Sequence, residues 1–231
     1  MSAARDDILG RVRDALKRGP LDPEQAQELD RRLAEHRRNL VPQRAAALDH
    51  AGRVALFAAM AEEVQATVAR VAAPDAVPEE VARYLASENL PAELVMAPDP
   101  ALDTLPWETR PLLRIRRGRA EAGDNVSLTP CLAAIAETGT LMLVSGADTP
   151  TTLNFLPDTH IVVVRGEQVV ASYEDGWDLI RARAGSSNQP QAMPRTINFI
   201  TGPSRTGDIE QRIQLGAHGP RRLHIIVIDE S

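Results

Sequence analysis

The chain has 231 residues, 26 of them basic and 32 acidic, giving a formal net charge of −6; the length points to one α/β-type domain with an appendage, large enough to fold on its own core. A single cysteine, Cys131, excludes an intrachain disulfide framework, an all-cysteine zinc site and a self-contained iron–sulfur cluster, and a single lysine, Lys17, leaves Schiff-base chemistry almost without a candidate. The acidic balance and the scarcity of aromatic residues (two Trp, two Tyr, three Phe) give nucleic acid neither a basic field nor a stacking platform.

The opening stretch MSAARDDILGRVRDALKRGP is polar and helical, with Ile8, Val12 and Leu16 on one face of residues 5–18. It lacks the apolar core of a signal peptide, and no apolar run approaches the roughly 20 residues of a membrane span, so a cytoplasmic location is expected. Asp22-Pro23 reads as an N-cap with proline in the first helical position. The helix that follows carries Ala26, Leu29, Leu33, His36 and Leu40 to about Val41, a narrow stripe suited either to its own core or to a second copy of the chain. A helix is expected over 53–72 from Val54, Phe57, Ala58, Ala61, Val64, Val68 and Val71, and another over 79–87. Residues 94–96 read as a short buried strand, and 98–111 as a proline-rich connection packed by Trp107.

From there the pattern turns strand-rich. Strands are expected over 112–116, 126–128, 160–164, 168–171, 196–200 and 223–228, with an apolar run over 135–144 and helices over 173–184 and 206–215. The basic run Arg114–Arg119 reads as a solvated strand edge. The predicted architecture is α/β, an open and mostly parallel sheet flanked by helices, over residues 49–231, preceded by a helical extension over 1–48.

Three segments carry candidate chemistry. Gly202-Pro203-Ser204-Arg205-Thr206-Gly207-Asp208-Ile209-Glu210 follows a strand and is expected to open a helix, whose free N–H groups suit an anion, with Arg205 adding a paired contact. Its glycine spacing matches the start of a phosphate-binding loop, but Asp208 stands where the lysine belongs. Capping of the helix by Thr206 or Asp208 would account for the acidic residues, though not for Arg205. His218, between glycines in Gly216-Ala217-His218-Gly219-Pro220, is a candidate acid or base, or a turn histidine bonded to backbone. Ala136-Glu137-Thr138-Gly139-Thr140 interrupts an apolar strand, where Glu137 is either a reactive carboxylate or a structural ion-pair or hydrogen-bond partner and Gly139 signals a bulge or a close ligand approach. The five histidines show no zinc-ligand spacing, and no dinucleotide-binding glycine motif is present, so no metal, flavin or nicotinamide is expected.

Taken in order, AETGTLMLVSG, LPDTHIVVV, ITGPSRTGDIE and GAHGP resemble the lactate-utilisation protein C family, also called the LUD domain or LutC/YkgG type, over residues 50–231. The resemblance implies a fold like that of ribose-5-phosphate isomerase, glucosamine-phosphate deaminase (NagB/RpiA) and the CoA transferases. It also implies a role in oxidising L-lactate to pyruvate beside iron–sulfur partner proteins, with no cofactor on this chain. By analogy with that fold, Glu137, Thr138, Gly139 and Thr140 should line one cleft with Gly202, Pro203, Ser204, Arg205, Thr206 and Asp208. A small carboxylate or other anion is the expected ligand, and self-association through the N-terminal helices is a further expectation. A CoA transferase using Glu137 as nucleophile, a sugar-phosphate enzyme and a non-catalytic scaffold or regulatory subunit are the alternatives.

Overall fold

The computed structural model describes residues 3–17, 19, 21–38, 41–185, 193–207, 213–216 and 218–229. The chain divides into two units, Met1–Leu40 and Val41–Ser231. The first contains helices α1 (Ala3–Ala15) and α2 (Pro23–Glu35). Asp22 caps α2 as expected, accepting from the Gln25 N–H at 2.8 Å, with Pro23 in the first turn. The helix stops at Glu35 rather than near Val41, because His36 turns into the left-handed region (φ 45°) and bonds back to the Arg32 carbonyl. Neither helix has a buried residue, so His36 is exposed and not a core histidine.

The second unit opens with α3 (Gln43–Ala46) and α4 (His50–Glu63), the latter capped by Asp49 and burying Val54, Phe57 and Ala61. The expected helix over 53–72 is corrected here. The chain leaves α4 at Val64, reverses at Gln65 (φ 71°), and continues as strand β1 (Thr67–Val71). Val64, Val68 and Val71 satisfy a helical spacing, but Thr67, Val68 and Val71 are β-branched and are recruited into a sheet.

Helix α5 (Val77–Ser87), strand β2 (Glu93–Met96), helix α6 (Pro100–Asp103) and strands β3 (Arg114–Arg117), β4 (Val126–Pro130), β5 (Ala133–Ile135) and β6 (Thr140–Val144) follow. Then come α7 (Thr152–Phe155), β7 (Thr159–Arg165), β8 (Val169–Val170), α8 (Tyr173–Gly185), β9 (Ile197–Ile200), β10 (Arg205–Gly207), β11 (Ile213–Leu215) and β12 (Arg222–Ile228). Six strands form an all-parallel sheet in the order β1-β12-β7-β4-β2-β3, and four form a second sheet in the order β8-β5-β6-β9. Among the described residues no helix is long and apolar enough to cross a membrane.

Alternation along the central strands separates the core into two layers. Ile161, Val163, Ile226 and Ile228 face α5 and the Trp107 connection, where the Trp107 indole donates to the Leu102 carbonyl at 2.8 Å. Val162, Val164, Ile225 and Val227 face α4 and the β5–β6 hairpin. Each fully buried aliphatic side chain contributes about 1.5–3 kcal/mol relative to exposure, so these two faces hold the unit together.

Two sequence expectations around the motifs change. Residues 136–139 are not inside a strand but form the turn of the antiparallel β5–β6 hairpin. The helix expected over 206–215 is not formed at its described residues: Arg205–Gly207 pairs antiparallel with Ile213–Leu215, and the Gly216 N–H extends the ladder to the Ser204 carbonyl. Asp208 and Glu210 lie outside the described residues.

Candidate functional site

Both motif glycines are required by backbone packing against the end of α4. Gly139 has φ 65°, and a Cβ there would stand 2.3 Å from the Ala61 nitrogen. Gly202 has φ 76°, and a Cβ would stand 2.3 Å from the Val64 carbonyl oxygen. Only glycine tolerates both the left-handed backbone and this approach. The last turn of α4 is therefore contacted by the hairpin turn and by the 202–205 loop. Arg205 Nη2 donates to the same Val64 carbonyl at 3.4 Å, placing a cation at the negative end of a helix.

The loop of residues 202–205 is joined to residues 218–220 through the Ser204 N–H, which donates to the Pro220 carbonyl at 2.8 Å, and the His218 N–H, which reaches Ser204 Oγ at 3.3 Å. Together they enclose a cavity of about 260 Å³ at the amino ends of β7 and β12. Gly202, Pro203, Ser204, Arg205 and His218 all line it, so the structure brings these expected site residues together. Among the described residues the guanidinium pairs with no carboxylate. Thr206 belongs to β10, and its side chain lies outside the described residues.

Glu137, Thr138, Gly139 and Thr140 are not among the residues lining this cavity. They connect to it through hydroxyl groups. Thr140 Oγ1 lies 2.7 Å from Thr138 Oγ1, 3.0 Å from the Tyr173 hydroxyl and 2.7 Å from Thr201 Oγ1, and Thr201 lines the cavity. Glu137 sits at the N-terminus of α8, where Oε1 accepts from the Tyr173 N–H at 3.2 Å and Oε2 is buried without a partner. A carboxylate there complements the helix dipole and fixes Tyr173, whose hydroxyl meets Thr140.

Two buried polar side chains of the cavity wall have no place among the expected site residues. His160 is fully buried, with Nε2 2.8 Å from Thr129 Oγ1 and Nδ1 without a partner. Burial lowers its pKa to about 3, so the ring is neutral at neutral pH. Asn154 lines the same cavity and also a second one, about 300 Å³, at the carboxyl ends of β2 and β4 beside Thr129, Cys131 and Asp148. The signal for His160 is a polar residue opening the otherwise apolar run HIVVV, where strands of a parallel sheet are normally aliphatic. Cys131 is buried and its thiol pKa is pushed up to about 12, which makes it a poor nucleophile. Among the described residues no group of His, Cys, Asp and Glu is arranged to hold a metal ion.

Comparison with known proteins places these features in context. The LUD domain family model matches residues 54–228. Lactate utilization protein C of Deinococcus radiodurans is 38% identical over 119 residues, covering 51% of this chain and 51% of that protein. Lactate utilization protein C of Bacillus subtilis is 33% identical over 106 residues, covering 46% of this chain and 43% of that protein. The matched stretch thus spans about half the length of these curated relatives. The crystal structure of a DUF162 family protein from Deinococcus radiodurans aligns with a TM-score of 0.57 at 28% identity, over 79% of this chain and 99% of that one.

Proposed function

Because the chain belongs to the LUD domain family, we propose that it is a component of an L-lactate utilisation system that binds a small carboxylate in the cavity between residues 201–205 and 218–220. The observation carrying this reading is the convergence of Arg205, Ser204 and His218, from the two loops that flank the β10–β11 pair, on one pocket. A guanidinium offers paired donors to a carboxylate, and His218 stands beside it as the proton-handling group. Glu137 acts one step back, holding Tyr173 and the hydroxyl chain to Thr201.

Oxidation of L-lactate to pyruvate releases two electrons and two protons. A chain whose single cysteine is buried cannot ligate an all-cysteine iron–sulfur cluster, so in this proposal the electron carriers are iron–sulfur clusters of partner proteins. Deleting the gene should abolish growth on L-lactate, and the tagged protein should recover cysteine-rich partners from lactate-grown cells. Complementation by Arg205→Ala should fail, with carboxylate affinity reduced at least about tenfold, the loss of one charge-assisted contact. Normal growth on lactate without the protein would sink the proposal.

A further inference from the structure

We infer that the second cavity, at the carboxyl ends of β2 and β4, is a binding site for a small zwitterion, an α-amino acid, separate from the cavity that Arg205 lines. Strand order gives the first reason. The chain leaves β2 towards β3 at one edge of the six-stranded sheet, and leaves β4 in the opposite direction, towards β7 and β12. Because β2 and β4 are neighbours, the connections part between them. In an open parallel sheet such a divergence leaves a crevice outside the carboxyl ends of the two strands, and ligands bind there. The second cavity, of about 300 Å³, occupies that crevice, whereas the Arg205 cavity lies at the amino ends of β7 and β12.

The charges on its wall specify the ligand. Asp99 comes from the turn after β2, Asp148 from the loop after β6, and Arg183 from the last turn of α8. None of the three forms an ion pair with another described residue. Asp99 Oδ1 accepts the Ala101 N–H at 2.8 Å, so the second carboxylate oxygen is the one offered to a ligand. Ser145 Oγ accepts the Thr196 N–H at 2.9 Å, which leaves its O–H to donate, and Asn154, 3% exposed, adds an amide to the wall. Opposite charges that line one space without meeting are complementary to a molecule carrying both signs. An ammonium group donates to Asp99 and Asp148, and a carboxylate takes the paired donors of Arg183. An acid alone meets two carboxylates against one guanidinium, and an amine alone leaves Arg183 unmatched. A zwitterion answers both, and the volume is that of a site for one small molecule.

The test is calorimetric titration of the full chain and of Arg205→Ala at neutral pH with L-alanine, L-serine, L-leucine and L-glutamine. At least one should bind with a Kd below about 1 mM, and equally well to both proteins. In Arg205→Ala, the 2-hydroxy acid and the decarboxylated amine with the same side chain (L-lactate and ethylamine for L-alanine) should bind at least about tenfold more weakly. Asp148→Asn and Arg183→Gln, at exposed positions, should each weaken the amino acid at least about tenfold. No saturable binding of any of these amino acids would overturn the inference. So would affinity lost in Arg205→Ala, which would move the ligand to the first cavity, or affinity unmoved by either Asp148→Asn or Arg183→Gln. A hydroxy acid that matches its amino acid in Arg205→Ala would overturn the zwitterion as the ligand class. The carboxylate reading of the first cavity stands or falls separately, on L-lactate binding to the parent chain.

Discussion

At the scale of single residues, Gly139 and Gly202 carry left-handed backbone hard against the end of α4. Gly139 and Gly202 stand out in AETGT and GPSRT, and the expectation for Gly139 is a bulge or the close approach of a ligand. What approaches is the backbone of α4, at Ala61 and Val64, which no local pattern discloses. Replacing either glycine with alanine should destabilise the protein by more than the ~1–2 kcal/mol of a left-handed non-glycine residue, because the helix end must also shift. Gly123, at φ 100° with open space around it, is the matched control: Gly123→Ala incurs the backbone strain alone. Urea denaturation of the three variants measures the difference, and equal losses would contradict the packing role. Arg205 was singled out from the sequence, and it lines the cavity. Asn154 and His160 were not, because nothing within a few residues of either shows that α7 and the start of β7 enclose one space.

At the scale of elements, the pairing of α5 with β12 controls a pH response. His224 on β12 stacks on Tyr84 of α5 at 3.9 Å between ring centroids, with Nδ1 2.8 Å from Thr67 Oγ1 and Nε2 3.1 Å from Glu80 Oε1. Burial lowers the His224 pKa to about 4, against the opposing pull of Glu80, whose carboxylate is also bonded by Arg83. His160 on β7, lowered to about 3 by burial, behaves in the same sense. An unfolded histidine takes up its proton near pH 6.5, so between pH 6.5 and about 4 the unfolded chain binds more protons than the folded one. Stability therefore falls as the pH is lowered through that window, by about 1.4 kcal/mol per pH unit for each of the two rings. Urea midpoints at pH 7 and pH 5 should show this loss, and His224→Gln should reduce the slope by about half while lowering stability at pH 7. An unchanged slope in that variant would show that His224 is not the group titrating. Element types were mostly readable from periodicity. The failures came where tertiary pairing overrode it, in β1, read as the end of α4, and in β10 and β11, read as a helix.

At the scale of the whole molecule, the hydrophobic clusters of the second unit begin at Ala45 and include no described residue before it. Removing residues 1–40 should leave the thermal midpoint within about 2 °C of the full chain, as expected for a change below about 0.5 kcal/mol. A larger fall would show that the first unit contributes to the core's stability. Leu29 and Leu33 of α2 are 42% and 72% exposed, so the self-association expected from this stripe is best tested by light scattering of Leu33→Glu against the parent chain. The sequence alone determined the α/β class, the strands of the parallel sheet other than β1, the family resemblance and the lack of cysteines for an all-cysteine cluster, because composition, alternation and contiguous motifs are local properties. Only the tertiary structure decided that the GPSR and HGP segments share a cavity while AETGT reaches it through Thr140 and Thr201, and that Asn154 and His160 belong to its wall. Those relations join residues far apart in the chain, and only the order of the strands and the closing of loops over them set which groups meet.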